Sequence, residues 1–163
     1  MLLENLLNTH RRVDFRPKNL KIINEDGSYI DATKFLALEK TISKIIKHKS
    51  LILFLGDNDA ECLAFYFILF RLQHCQILLE NNIEFSNLNK IIRKFKPDYI
   101  FISRKIKISE KFRIVKKFNN FNLLENINKK KVKVHHNLAI LISTSGSTGD
   151  SKFVKLSFEN IIE

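Results

Sequence analysis

Residues 138–152 read LAILISTSGSTGDSK. Five apolar residues, Leu138 to Ile142, run straight into a cluster of hydroxyls and glycines that a lysine closes. An unbroken apolar run of this length suits a strand covered on both faces, the kind found in parallel sheets. The polar residues beyond it have the composition either of a Ser/Gly-rich surface turn with a solvated lysine or of a loop that holds phosphate. Gly146 and Gly149 let backbone N–H groups approach an anion closely. Thr144, Ser145, Ser147 and Thr148 add hydroxyl donors, and Lys152 adds a positive charge. A strand feeding such a loop matches the usual ligand position at the carboxyl ends of parallel strands. It is not a Walker A loop, which requires G-x-x-x-x-G-K-[ST] and then a helix. Here Ser151 precedes the lysine, and Phe153 to Ser157 alternates like a strand.

Upstream, the same alternation of strand and helix signals recurs. Leu20 to Asn24 and Ser28 to Ala32 flank Glu25-Asp26-Gly27, a turn signal, and read as a hairpin. Phe35, Leu38, Ile42, Ile45 and Ile46 fall on one helical face, with Thr33 or Asp31 as its cap. Leu51 to Gly56 is a buried strand. The next helix, reaching Arg71, is apolar almost all round and so belongs inside. Its aromatics, Phe65, Tyr66, Phe67 and Phe70, read as core. Cys75 to Glu80 is a second strand, Ser86 opens an amphipathic helix that Pro97 ends, and Asp98 to Ser103 is a third strand. The stretch Glu110 to Phe118 reads as a helix, and Ser157 as the cap of a last one. The pattern is α/β: a layered, mostly parallel sheet with flanking helices. The 163 residues read as one unit without internal repeat or boundary; residues 1–19 form a poorly defined lead-in.

Composition narrows the function classes. At 45% hydrophobic and 28% charged the chain is globular. The longest apolar run, Leu63 to Phe70, is far below the ~20 residues of a membrane span. Cys62 and Cys75 form no CxxC pair and read as buried free thiols in a reducing, cytoplasmic setting. The net charge of +11 attracts anions, including nucleic acid. It accompanies an enrichment in Lys, Ile, Asn and Phe together, so it is discounted as a functional signal. Lys129 to Lys131 reads as a solvated loop, and His135–His136 as a loop or sheet-edge pair without metal partners.

The run Thr144-Ser145-Gly146-Ser147-Thr148-Gly149 with Lys152 and Asn160 resembles the signature of the adenylate-forming superfamily. These AMP-binding synthetases include acyl-CoA synthetases, the adenylation domains of nonribosomal peptide synthetases, and firefly luciferase. Their signature is a hydrophobic strand, T-S-G-[ST]-T-G-x-P-K-G, a strand, and commonly H-x-N. Ser151 stands at the usual proline, Phe153 at the usual glycine and Phe158 at the usual histidine. Residues 29–46, 52–70 and 96–103 are similar, more weakly, to earlier family segments in the same order. The resemblance implies an incomplete N-terminal subdomain of the adenylate-forming fold. It further implies that Thr144, Ser145, Gly146, Ser147, Thr148, Gly149 and Lys152 hold the β- and γ-phosphates of ATP. Also implied are Mg²⁺, a carboxylic acid activated as acyl-AMP, and a thiol acceptor on CoA or a carrier protein. The family's acyl pocket, adenine site, ribose-binding aspartate, magnesium-associated glutamate and catalytic lysine belong to later segments, so no catalytic residue is assigned. Three readings follow: the N-terminal portion of such a ligase; an inactive remnant or split half completed by self-association or another chain; and a basic nucleic-acid-binding domain.

Overall fold

The computed structural model describes residues 20–103, 108, 111–128, 133–144 and 152–162. The lead-in 1–19, the lysines 129–131 and residues 145–151 of the glycine-rich loop lie outside them. The hairpin opens the described chain as β1 (Lys21–Ile23) and β2 (Tyr29–Asp31), paired antiparallel. Gly27 takes φ +81, and Ser28 donates its N–H and hydroxyl to Asp26, holding that carboxyl below its ordinary value.

Seven strands form the main sheet: β3 (Leu51–Gly56), β4 (Cys75–Glu80), β5 (Tyr99–Ser103), β6 (Phe112–Lys117), β7 (Phe121–Asn126), β8 (Leu138–Thr144) and β9 (Lys152–Ser157). Their order is β6-β7-β5-β3-β4-β8-β9. The four central strands β5, β3, β4 and β8 run parallel; the β6–β7 hairpin extends the sheet antiparallel through β7 at one side, and β9 extends it antiparallel at the other. Helices cover both faces: α1 (Ala32–Ile45), α2 (Ala60–Arg71) and α3 (Phe85–Phe95), with a short α4 (Phe158–Ile162) after β9.

Strand β3 shows why the layers form. Leu51, Leu53 and Leu55 enter one core with Ile77, Ile100 and Ile102 and with Leu88 and Ile91 of α3. Ile52 and Phe54 enter the other, with Phe35 and Ile42 of α1 and Phe65 and Ile68 of α2. All five apolar residues of β3 are buried. On the α1–α2 side, Phe101 stacks on Phe54 and Phe121 at 5.1 and 5.0 Å, and Phe65 meets Phe101 at 4.4 Å. Such ring pairs contribute about 0.5–1.5 kcal/mol each beyond the area they bury.

The expected caps and strands are present, with shifts of a residue or so. Asp31 caps α1, its carboxylate accepting from Lys34 N–H at 2.8 Å. Helix α3 starts at Phe85 rather than Ser86, and Lys96 ends it in the left-handed region just before Pro97. Helix α2 is not wholly interior: Phe65 and Phe70 are buried, Tyr66 and Phe67 are half-buried, and Leu63 is exposed.

One expected element is corrected. Within the stretch read as a helix from Glu110 to Phe118, residues 112–117 are strand β6, paired antiparallel with β7. The hairpin register shifts between Ile114 and Lys116, a bulge that breaks the two-residue alternation. Phe112, Val115 and Phe118 therefore fall three apart and imitate a helical face, while Ile114 is left exposed. The signal that could have revealed the hairpin is Asn119-Asn120, a turn pair between two β-prone runs.

Gly56 ends β3 in close quarters. A Cβ there would collide with Cys62 Sγ and come within 2.7 Å of the Phe54 ring. Gly56→Ala is expected to lower the free energy of urea unfolding by about 1–3 kcal/mol, the usual penalty of overpacking. An unchanged midpoint and slope would show that Phe54 and Cys62 have room to move aside.

Candidate functional site

Because β3, β4 and β8 run parallel, their carboxyl ends share one edge of the sheet. Gly56 pairs with Glu80 across β3 and β4. Two positions beyond the Leu78–Ile142 pair, Glu80 and Thr144 end β4 and β8. The chain then returns as β9, with Thr144 and Lys152 as register partners. The sheet thus brings together the first and last of the seven candidate phosphate-holding residues. Ser145, Gly146, Ser147, Thr148 and Gly149 span the connection and lie outside the described residues.

The hairpin holds its register through its own packing. Leu141 faces the α3 core, while Ala139 and Ile140 face Phe70. Ile142 and Val154 are register partners and both are exposed, at 39% and 46%. Ser157 and Asn160 form a reciprocal cap: Asn160 N–H donates to Ser157 Oγ at 3.1 Å, and Ser157 N–H donates to Asn160 Oδ1 at 3.1 Å. The expected cap is therefore present, and the motif's final asparagine serves as its second half.

Two departures from the signature have local packing reasons. Phe153, at the usual glycine, meets Phe95 of α3 edge-on at 4.7 Å. Phe158, at the usual histidine, packs on Phe70 at 5.0 Å and lies 4.6 Å from the Lys49 ammonium. Each ring fills an apolar cluster that glycine or histidine would leave open. Ser151 lies outside the described residues.

The same edge has other donors, already engaged. At the start of α2, Ala60 N–H donates to Asn24 Oδ1 and Cys62 N–H to Asp59 Oδ1, both at 2.6 Å. Asn81 Nδ2 donates to Asp57 Oδ1. The α2 terminus has thus committed these N–H groups to the chain's own oxygens, and Asp57, Asp59 and Glu61 lie just before it or in its first turn. The β8–β9 connection, whose residues 145–151 lie outside the described residues, supplies hydroxyls and glycines by composition, and Lys152 follows it. Hydroxyls, glycine N–H groups and an ammonium suit phosphate oxygens. Among the described residues no group of three His, Cys, Asp or Glu side chains is placed to hold a metal ion.

No family model and no curated protein matches this chain. A solved structure does: O-succinylbenzoate coenzyme A synthetase from Bacillus subtilis, in complex with AMP, at 16% identity and a TM-score of 0.61. The two share a fold. The match covers 90% of this chain and 41% of that one, so this chain spans about two-fifths of the synthetase's length. The layered α/β sheet is thus similar to a fragment of that synthetase's fold. No helix among the described residues is long and apolar enough to cross a membrane.

Neither cysteine belongs to this chemistry. Both are free and buried. Burial, then the nearby Asp59, pushes the Cys62 thiol up to about 12. Burial pushes Cys75 up to about 11, with Lys49 opposing. His135 and His136 are exposed, their rings 4.3 Å apart. Thiolate is the reactive form, so a disulfide reagent at pH 8 is expected to label the native chain far more slowly than the chain in guanidinium. Rapid labelling of either cysteine in the native state would contradict the burial described here.

Proposed function

We propose that this chain is the N-terminal portion of an ATP-dependent adenylate-forming ligase, with Thr144 to Lys152 holding the β- and γ-phosphates of ATP. The observation that carries the reading is the pairing of Thr144 with Lys152 at the carboxyl edge of the parallel strands. It closes a glycine- and hydroxyl-rich connection at the sheet position where ligands of such sheets bind. The resemblance of the loop and the shared fold support the same reading from independent directions.

The chemistry follows from charge. When a carboxylate attacks the α-phosphate, the bond to the β-phosphate breaks and negative charge builds on the leaving pyrophosphate. Donors fixed around those oxygens before the reaction stabilise that charge without having to reorganise. Lys152 neutralises part of it, and the loop N–H and hydroxyl groups bind the remainder. Mg²⁺ would accompany ATP and screen its phosphates. The acid, and CoA or a carrier-protein thiol as acceptor, would be recognised by segments outside these 163 residues. The chain by itself therefore binds pyrophosphate and completes no acyl-adenylate.

Titration calorimetry of the 163-residue chain with sodium pyrophosphate tests the loop. A hydrogen-bonded charge contributes about 1.5–3 kcal/mol, so Lys152→Ala is expected to weaken binding by about tenfold or more. Equal affinity in both proteins would remove Lys152 from the site. A separate assay follows pyrophosphate release from ATP with a panel of carboxylic acids. Release above the Lys152→Ala control would overturn the statement that the chain completes no turnover. Salt-sensitive RNA binding that Lys152→Ala leaves unchanged, without pyrophosphate binding, would favour the basic nucleic-acid-binding domain.

A further inference from the structure

The opposite edge of the sheet, where β3, β4 and β8 begin, holds a cluster that phosphate binding does not use. Lys49 precedes β3, and its ammonium donates to the carbonyl oxygens of His136 at 2.6 Å and Leu138 at 3.0 Å, where β8 starts. The same ammonium lies over the Phe158 ring, directly after β9 ends. Phe158 N–H donates to Asn137 O at 3.0 Å, joining the two strands at that end. One cation therefore clamps both sides of the open base of the β8–β9 hairpin onto the start of β3.

His74 lies in the same corner. It is 2% exposed, and neither imidazole nitrogen has a hydrogen-bond partner among the described residues. Its backbone N–H donates to Leu69 O, and the next residue's N–H donates to Ser50 O, both at 3.0 Å, which fixes it beside the Lys49–Ser50 segment. Burial, and then the Lys49 charge, hold the imidazole down to about 4 from 6.5, so it is neutral at neutral pH. The elements meeting here also carry His48 before β3, Cys75 on β4, Tyr66 and Arg71 on α2, His135 and His136 before β8, and Glu159 on α4. Burial keeps Cys75 and Tyr66 in their neutral forms. Arg71 is paired with Glu39 at 2.8 Å, and His135, His136 and Glu159 are exposed.

We infer that His74 is an acid-sensitive latch on this clamp. A proton on the buried imidazole sets a second positive charge beside the Lys49 ammonium. Lys49 then leaves the His136 and Leu138 carbonyls, and the β8–β9 hairpin opens from its base. The sign follows from linkage: the closed form binds this proton more weakly than an open form with a hydrated imidazole. The closed form is therefore favoured in full above about pH 6.5 and loses ground as pH falls toward 4. Between pH 8 and pH 5 the open population should rise about 30-fold. The latch acts on the hairpin whatever its connection binds.

Amide hydrogen exchange of the full chain at pH 8 and pH 5, corrected for intrinsic rates, tests this. The expected result is a rise of about 30-fold in opening for residues 139–142 and 153–156, with β3 and β5 unchanged. His74→Leu should abolish the rise. Lys49→Met, which removes the repelled charge, should raise hairpin opening at pH 8 and shrink the rise between pH 8 and pH 5. A rise of the same size in His74→Leu, or one shared equally by β3 and β5, would overturn the latch. Should His74→Leu not fold, the imidazole C–H proton resonances of the wild-type chain decide. A His74 midpoint near 4 that tracks hairpin opening supports the latch, and a midpoint near 6.5 overturns it.

Discussion

Strand β3 has no face toward water, and most of the architecture answers that condition. Its Leu51, Leu53 and Leu55 need a helix on one side, and Ile52 and Phe54 need helices on the other. Its backbone needs partners along both edges, which β4 and β5 supply in parallel register. Fully burying a large apolar side chain contributes roughly 1.5–3 kcal/mol, so exposing either face would remove a large share of the fold's stability. The start of β3 is tied down as well: Leu51 N–H donates to the buried Asp98 carboxylate at 2.9 Å, and Leu51 O accepts from Asp98 N–H at 2.8 Å. Parallel strands fixed at that end leave their carboxyl ends as the edge where loops of functional composition can gather.

The two edge strands of the sheet differ in a way that bears on partners. β6 presents Arg113, Lys116 and Lys117, charges that oppose pairing with another chain's strand. β9 alternates Lys152 and Lys155 with Phe153 and Val154, and the exposed Val154 lies opposite the exposed Ile142. The guarded edge lies far across the sheet from the glycine-rich connection, and the apolar pair lies beside it.

Phenylalanine explains much of what separates this sequence from the signature it resembles. The rings of Phe153 and Phe158 do not point to a new chemistry; they pack on Phe95 and Phe70. In a chain with 14 phenylalanines, aromatic packing does at several positions what other residue types do elsewhere. The same abundance obscured β6, where Phe112 and Phe118 flank a bulged strand at helical spacing.

By itself the sequence determined the elements whose signal is local. The apolar runs of β3, β5 and β8, the short apolar run within β4, the helical face of α1 and the Asp-Gly turn of the first hairpin depend on neighbours a few residues apart. The glycines and hydroxyls of the connection after β8 are likewise read from the sequence alone. The tertiary structure alone decided what depends on register and distance. It set the bulge that makes residues 112–117 a strand and the order that puts β8 beside β4. It brought Thr144 opposite Lys152, and it gathered Lys49, His74 and Phe158 at one corner. Those contacts join residues dozens of positions apart, and their energies come from burial and pairing that exist only once the sheet is assembled.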